Sequence, residues 1–188
     1  MSVVQLKKPL VLFPMTSDQF CALPPSDTVK LELLDGEVVV MTRPTPWHQY
    51  FLLQLAIVLG SWVKQRSLGR LFPDTLVKLN GDWTPAPDLV FVARRHLKRV
   101  KEKRIEGPVD LAVEILSSDP EVDRETKFKA YARHGVKWYW IVDLKQRVLE
   151  EYELTHKTYG EPRLVAFDEP FQPKLFPGLS IDLASLEW

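Results

Sequence analysis

The chain has 188 residues, of which 45% are hydrophobic and 27% charged, as expected for one soluble globular domain with a sizeable core. Its 25 Lys and Arg balance its 25 Asp and Glu, so net charge neither indicates nor excludes a nucleic-acid partner. Cys21 is the only cysteine, which excludes an internal disulfide and a cysteine-based zinc site. Lysine and proline interrupt the short apolar stretches at the N-terminus, so we expect no signal peptide, no membrane span and a cytoplasmic location.

The N-terminal third predicts a short helix and a β-hairpin. Thr16 or Ser17 can cap a helix that ends near Ala22, before two consecutive prolines. The segment 30–41 contains two apolar runs joined by Asp35-Gly36, which supply the positive φ angles of a tight type I′ turn. A long amphipathic helix is predicted next, from about Trp47 to Gln65 and ended by Gly69, with apolar residues at helical spacing: Phe51, Leu55, Val58, Leu59 and Trp62.

The rest of the chain alternates strands with one helix. Asp119-Pro120 is a good helix start and Gly135 a good helix stop. Apolar and β-branched runs predict strands around 76–79, 89–92, 111–116, 137–143, 148–152, 163–167 and 179–183. This order predicts a single α/β domain with a mixed central β-sheet flanked by helices.

Glu114 constrains function most strongly. It lies in Leu111–Leu116, a run that is otherwise wholly apolar and typical of a strand buried on both faces. A buried carboxylate costs several kcal/mol unless a cation or hydrogen-bond donors compensate it. A bound metal is one explanation, and a buried arginine or lysine is the alternative.

Asp88 and Lys127 extend this pattern. Asp88 follows Pro87 at the start of a predicted strand; if that strand neighbours the one with Glu114, two carboxylates converge on one Mg²⁺. Lys127 lies on the following helix, where its ammonium could stabilise charge on a phosphate. The alternatives are that Asp88 is a strand-end residue and that Asp123 and Lys127 form an ordinary i,i+4 pair worth about 0.3–0.5 kcal/mol.

An ordered series of motifs runs from about residue 16 to the C-terminal end of the chain. It comprises 31–37, His48, Pro87-Asp88, 111–117, Asp123 and Lys127, Tyr131, Gly135-Val136 and 139–143. The series resembles the Uma2 family, a group of proposed endonucleases within the PD-(D/E)XK nuclease superfamily.

The resemblance implies a restriction-endonuclease-like core, with 1–15 as an N-terminal extension and 16–188 as the nuclease domain. It implies Asp88 and Glu114 as ligands of Mg²⁺ or Mn²⁺. The usual superfamily pattern has a lysine two residues after the glutamate, where this chain has Leu116. The Uma2 pattern moves the lysine to the following helix, and Lys127 occupies that place.

Further residues match family positions that line the same cleft. His48, near a helix N-terminus, could contact a phosphate or transfer a proton, or could be a helix cap. Glu32 and Glu37 also match, although Glu37 could face solvent in the hairpin. The basic stretch Arg94–Arg104 is either a solvated segment or the first place to seek DNA contacts.

Two functions remain open from the sequence. The first is a metal-dependent endonuclease acting on DNA, assisted by Asp88, Glu114, Lys127 and His48. The second is a nuclease-fold protein with a degenerate site, kept for nucleic-acid binding or assembly. A homodimer is predicted for the first, because cutting both strands of a duplex needs two sites and two-fold symmetry matches the DNA dyad.

Overall fold

The computed structural model describes residues 10–24, 29–41, 44–116 and 120–187, with side chains from residue 14 onward. The first half contains β1 (Leu10–Pro14), α1 (Ser17–Cys21), β2 (Lys30–Leu34), β3 (Glu37–Met41), α2 (Pro46–Gln65), β4 (Gly69–Pro73), β5 (Val77–Lys78) and β6 (Leu89–Ala93). A 3₁₀ helix spans Arg94–Arg99, followed by β7 (Ile105–Glu106) and β8 (Leu111–Ile115). The second half contains a π-helix (Val122–Lys127), α3 (Phe128–His134), β9 (Trp138–Asp143), β10 (Val148–Thr155), β11 (Thr158–Tyr159), β12 (Arg163–Ala166), β13 (Pro170–Phe171), β14 (Ile181–Asp182) and a 3₁₀ turn, Ala184–Leu186.

The central sheet is mixed, which confirms the predicted fold class. Its seven strands run in the order β11-β10-β9-β8-β6-β4, with β12 also paired to β10. Only the β8–β9 pair is parallel among these pairings, and it joins strands separated by the π-helix and α3 as a crossover of the βαβ kind. The antiparallel pairing of β6 with β8 sets Leu89 opposite Val113, so the strands of Asp88 and Glu114 are neighbours, which is the condition for their carboxylates to converge.

Two apolar layers cover the two faces of this sheet. The larger layer packs α2 against the face that includes Leu111, Val113 and Ile115 of β8. The opposite layer packs α3 against the face that includes Ala112. Because side chains alternate along a strand, Glu114 points to the α3 side.

The hairpin and the helices carry the local signals expected of them. Asp35 and Gly36 both have positive φ, at 55° and 78°. Thr16 caps α1 in a capping box, and Thr45 caps α2 with Pro46 as its first residue. Gly135 ends α3 with a φ of 85° in the left-handed region. The predicted N-cap Asp119 lies outside the described residues, as does Pro25, the second of the two prolines expected to follow α1.

Several boundaries differ from the sequence prediction. The segment around Leu76–Leu79 forms only the two-residue strand β5, which pairs with β7 outside the central sheet. The predicted strand 179–183 is limited to β14, in a separate two-stranded ribbon. The sequence did not predict β4, an edge strand of the central sheet, or β1, which pairs with β3. The division of the chain at residue 15 stays a prediction.

The hairpin β2–β3 packs against the segment that precedes β6. The backbone of Leu33 exchanges hydrogen bonds with Thr84 at 3.1 and 2.8 Å, and the amide of Gly36 donates to the carbonyl of Asp82. This docking sets one face of β2 next to the start of β6.

In the described part of the chain, no helix is long and apolar enough to cross a membrane.

Candidate active site

Glu114 is buried at the end of β8, with 2% of its surface exposed. Its Oε1 accepts hydrogen bonds from the Tyr131 hydroxyl at 2.8 Å and from the Lys127 ammonium at 3.1 Å. Burial raises the pKa of Glu114 well above its ordinary value, with Asp123, Asp88 and Glu32 adding repulsion, although Lys127 acts in the opposite direction. The buried lysine considered for Glu114 from the sequence is therefore present.

Lys127 joins three carboxylates. Its Nζ lies 3.1 Å from Glu32 Oε2, 3.1 Å from Glu114 Oε1 and 3.2 Å from Asp123 Oδ1. Burial alone would lower the pKa of Lys127, but these carboxylates outweigh it and raise the pKa well above the ordinary value. Asp123 and Lys127 thus do form the i,i+4 pair, but as a buried pair within a larger cluster.

The π-helix is the local structure that delivers Asp123 and Lys127. It spans Val122–Lys127 and continues into α3, where Tyr131 is fully buried. Wide π turns are rare and occur frequently at functional sites. The backbone carbonyl of Asp123 accepts a hydrogen bond from the Tyr139 hydroxyl at 3.0 Å, which fixes this turn against the sheet.

Asp88 and His48 form the other side of the cluster. Asp88 Oδ2 accepts the amide of Ile115 at 2.8 Å and lies 3.1 Å from His48 Nε2. His48 Nε2 also lies 3.0 Å from the carbonyl oxygen of Ile115. Both neighbours are acceptors, so Nε2 carries the hydrogen.

The electrostatic balance differs between Asp88 and Glu114. Burial acts to raise the pKa of Asp88, but the hydrogen bond from His48, the charge of Lys30 and the Ile115 amide outweigh it and lower the pKa to about 2. Asp88 is therefore ionised at neutral pH. Burial raises the pKa of Asp123, as it does that of Glu114.

These side chains line a pocket of about 220 Å³. Lys30 lies at its exposed side, with its Nζ 3.0 Å from Asp74 Oδ1 and 3.5 Å from Asp88 Oδ1. About a fifth of the Lys30 side chain is exposed, whereas Lys127 is almost completely buried. Lys30 is thus the accessible ammonium of the pocket, and Lys127 is the internal one.

The charges of the pocket fit a divalent cation. The pocket is lined by five carboxylates (Glu32, Asp74, Asp88, Glu114 and Asp123) and two ammonium groups (Lys30 and Lys127). Glu32 Oε2 and Asp123 Oδ1 are buried; each forms an ion pair with Lys127 Nζ but accepts no hydrogen bond among the described residues. In the described part of the chain, no three or more His, Cys, Asp or Glu side chains are already arranged as the ligands of a metal ion. Mg²⁺ retains several waters and needs only one or two protein carboxylates, so the donor set is compatible with it.

The structure brings the predicted residues Asp88, Glu114, Lys127 and His48 into one pocket, together with Glu32 and Asp123. Glu37 is exposed on β3 and does not line this pocket. The sequence analysis did not identify Lys30. A signal for it existed, because Lys30 and Glu32 are two residues apart on one strand and therefore share a face.

The basic stretch lies at the other end of β6 from Asp88. Asp88 immediately precedes β6, and the 3₁₀ helix Arg94–Arg99 follows it. The five residues of β6 place the backbones at the two ends of the strand about 17 Å apart. Arg99 and Arg104 are engaged with the Pro108 carbonyl and Glu106. The stretch is therefore separate from the pocket.

A mixed sheet with two acidic residues beside a buried lysine at one end is the arrangement expected of a restriction-endonuclease-like α/β protein. The chain belongs to the Uma2 family, described as "Putative restriction endonuclease", whose model matches residues 17–184. The fold is similar to the crystal structure of "a putative nuclease belonging to DUF820" from Anabaena variabilis ATCC 29413. That match has a TM-score of 0.76 at 23% identity and covers 92% of this chain and 99% of the other, and it shows a common fold. The chain matches no curated protein.

Proposed function

We propose that this protein is a metal-dependent endonuclease that hydrolyses phosphodiester bonds in DNA, with Asp88 and Glu114 holding Mg²⁺ or Mn²⁺. The observation that carries the proposal is the pocket in which these two strand-end carboxylates lie beside the buried ammonium of Lys127. Membership of a family described as restriction endonucleases supports a nuclease-type role.

Asp88 and Glu114 have complementary tasks in this proposal. Asp88 is ionised throughout the neutral range, because its pKa is about 2. Burial raises the pKa of Glu114, and a divalent cation would favour its ionised form, in which Glu114 would be the second ligand. A divalent cation held by these two carboxylates would supply a water of lowered pKa and neutralise charge on the phosphate.

The two lysines divide the positive charge between structure and substrate. Lys127 forms ion pairs with Glu32, Glu114 and Asp123. Because Lys127 also lines the pocket, its positive charge stabilises the negative charge that develops on the phosphate. Lys30 is more accessible, so it meets the incoming phosphodiester first and exchanges its contact with exposed Asp74 for the phosphate.

His48 acts on Asp88 in this proposal. It is 5% exposed, and its Nε2–H lies between Asp88 Oδ2 and the Ile115 carbonyl oxygen. We therefore assign it as a positioning residue that orients Asp88, in place of the direct phosphate contact or proton transfer considered from the sequence.

The test is cleavage of supercoiled plasmid and single-stranded DNA with Mg²⁺ or Mn²⁺, using wild type, Glu114→Gln and Lys127→Met purified identically. Glu150→Gln is the matched control, because Glu150 is also a buried strand carboxylate but pairs with Arg124 and Tyr152 away from the pocket. We expect metal-dependent cleavage that both pocket variants lose and the control retains.

A parallel measurement separates metal binding from catalysis. Excess Mg²⁺ or Mn²⁺ should raise the melting temperature of wild type and of Glu150→Gln but not that of Glu114→Gln. Cleavage that persists in Glu114→Gln contradicts the assignment of the site. A folded wild type that shows neither cleavage nor a metal-dependent rise in melting temperature contradicts the proposed activity. It favours the alternative, a nuclease-fold protein with a degenerate site that serves nucleic-acid binding or assembly.

A further inference from the structure

The outer face of α2 is an apolar stripe. Four of its side chains are among the most exposed large hydrophobic residues described, at 50%, 40%, 56% and 53% exposure: Trp47, Tyr50, Leu53 and Ile57. At 100° per residue they fall within a sector of about 120° and extend over about 15 Å of helix. The Trp47 and Tyr50 rings meet edge to face, with centroids 6.3 Å apart.

The stripe is not a by-product of core packing. The opposite face of α2 buries Phe51, Leu55 and Leu59 against the sheet, so the helix is apolar on two faces. From Pro46 to Val63 it contains no Asp, Glu, Lys or Arg. A helix that faces water on one side usually carries charged residues there. Contiguous exposed apolar patches of more than a few hundred Å² often have a function in binding.

We propose that this stripe is the two-fold interface of a homodimer, in which the α2 helices of two copies pack antiparallel. An uncharged apolar ridge meets its own copy across a two-fold axis without like-charge repulsion, which makes it self-complementary. The proposal concerns assembly and does not depend on the proposed nuclease activity.

The size of the stripe suits this occupant. Its four half-exposed side chains present on the order of 400 Å² of apolar surface, comparable to the largest patches on monomeric proteins. A standard interface buries about 800 Å² per partner, with an apolar centre and a polar rim. The stripe supplies the centre, while Gln54, Ser61 and Lys64 of the same helix supply part of the rim.

The sequence along the helix also fits an antiparallel register. A two-fold axis midway between Leu53 and Ile57 sets each of them opposite the other in the second copy. The same axis sets Tyr50 opposite Gly60, a half-buried residue at which an added Cβ would lie 3.9 Å from Leu71 Cδ1 of β4. The large ring therefore meets the smallest residue, which permits close packing.

The test is sedimentation equilibrium of wild type, Leu53→Glu and Ile57→Glu over a wide dilution series. We expect wild type at twice the monomer mass of 21.8 kDa, and a dimer dissociation constant raised at least about 30-fold in either variant, the size of a hot-spot effect. Leu164→Glu is the matched control, because Leu164 is 63% exposed on β12, and it should leave the dimer intact.

A variant without new charge guards against misfolding. The double substitution Leu53→Ala and Ile57→Ala removes most of the apolar surface at the centre of the stripe, so it should weaken the dimer. Because alanine is the best helix former, the variant should retain the helix content and melting transition of the monomer. A wild type that is monomeric throughout overturns the proposal. So does a dimer that withstands all three stripe variants, or that weakens as much in Leu164→Glu.

Discussion

The two ends of the β6–β8 strand pair are built alike. At one end, Asp88 precedes β6 and its Oδ2 accepts the amide of Ile115, the last residue of β8, at 2.8 Å. At the other end, Asp110 precedes β8 and its Oδ2 accepts the amide of Ala93, the last residue of β6, also at 2.8 Å. Each aspartate thus ties its own strand to the end of the neighbouring one.

Each aspartate also has a histidine and a cation beside it. His48 Nε2 lies 3.1 Å from Asp88, and His96 Nδ1 lies 3.0 Å from Asp110. The cations are Lys30 at 3.5 Å and Arg95 at 3.4 Å. Neither the amide nor the histidine therefore distinguishes the aspartate of the candidate site from the aspartate at the opposite end.

The difference lies in the surrounding charge. Asp110 is next to Arg95, whose side chain is 76% exposed, so water screens that pair. Asp88 shares its pocket with Glu32, Glu114 and Asp123, which are nearly inaccessible to water. An excess of buried carboxylate over buried cation is the feature that marks one end as the candidate active site.

The largest expected effect on stability is from Lys127→Met. Removing the ammonium leaves three buried carboxylates without their common partner, so we expect the free energy of unfolding to fall by about 3–5 kcal/mol. Arg95→Met at the other end should cost at most about 1 kcal/mol, because that ion pair is exposed. Urea unfolding in the presence of EDTA measures both. Equal losses would remove the distinction between the two ends.

The loss in Lys127→Met should also depend on pH. The raised pKa of Glu114 and Asp123 means that the folded protein retains protons that the unfolded chain releases. Stability therefore falls as the pH rises from the ordinary carboxyl range towards these raised values. Lys127 opposes both shifts, so its removal should steepen this fall. Urea midpoints of wild type and variant across that range test the prediction, and a difference that narrows with rising pH would contradict it.

The largest expected effect on activity is from Asp88→Asn. Loss of a ligand charge should reduce cleavage by about 100-fold or more, since each 1.36 kcal/mol of transition-state stabilisation is worth tenfold. Asp110→Asn should retain near-wild-type cleavage, because that residue serves only the strand junction. Initial rates of plasmid nicking at matched folded concentrations decide it. A comparable loss in both variants would assign Asp88 a structural role.

His48→Ala tests orientation of Asp88 against a direct catalytic role. If His48 positions Asp88, its removal should weaken the apparent Mg²⁺ affinity about 10- to 100-fold, and saturating metal should restore most of the rate. His96→Ala should change neither quantity. Titrations of cleavage rate and melting temperature with Mg²⁺ give the two readouts. A rate that stays low at saturating metal would instead indicate direct participation of His48 in the reaction.

Much of the fold was predictable because its signals are local. The Asp35-Gly36 turn, the proline at the start of α2 and Gly135 act through backbone geometry that each residue itself determines. The apolar run around Glu114 similarly indicated a strand buried on both faces, and all five residues of β8 are buried.

The rest depended on tertiary structure. The edge strand β4 includes Arg70 and Pro73 and is only partly buried, so neither alternation nor β-propensity marked it. The π-helix could not be told from an α-helix by the spacing of its apolar and charged residues. Its wide turn is fixed by tertiary contacts such as the hydrogen bond from the Tyr139 hydroxyl to the Asp123 carbonyl. Lys30 became part of the site only because the hairpin docks beside β6.

Tyr131→Phe has the smallest expected effect and sharpens the comparison within the pocket itself. It removes the hydroxyl that donates to Glu114 Oε1, so stability should fall by about 1 kcal/mol and metal affinity by about tenfold. Tyr159→Phe is the matched control, because this hydroxyl is also buried but donates to the backbone carbonyl of Val136. It should cost similar stability and leave metal affinity nearly unchanged. Metal-dependent melting shifts of the two variants separate the outcomes: equal shifts would mean that Tyr131 supports only the packing of α3, whereas a smaller shift in Tyr131→Phe would mean that its hydroxyl holds Glu114 in place for the cation.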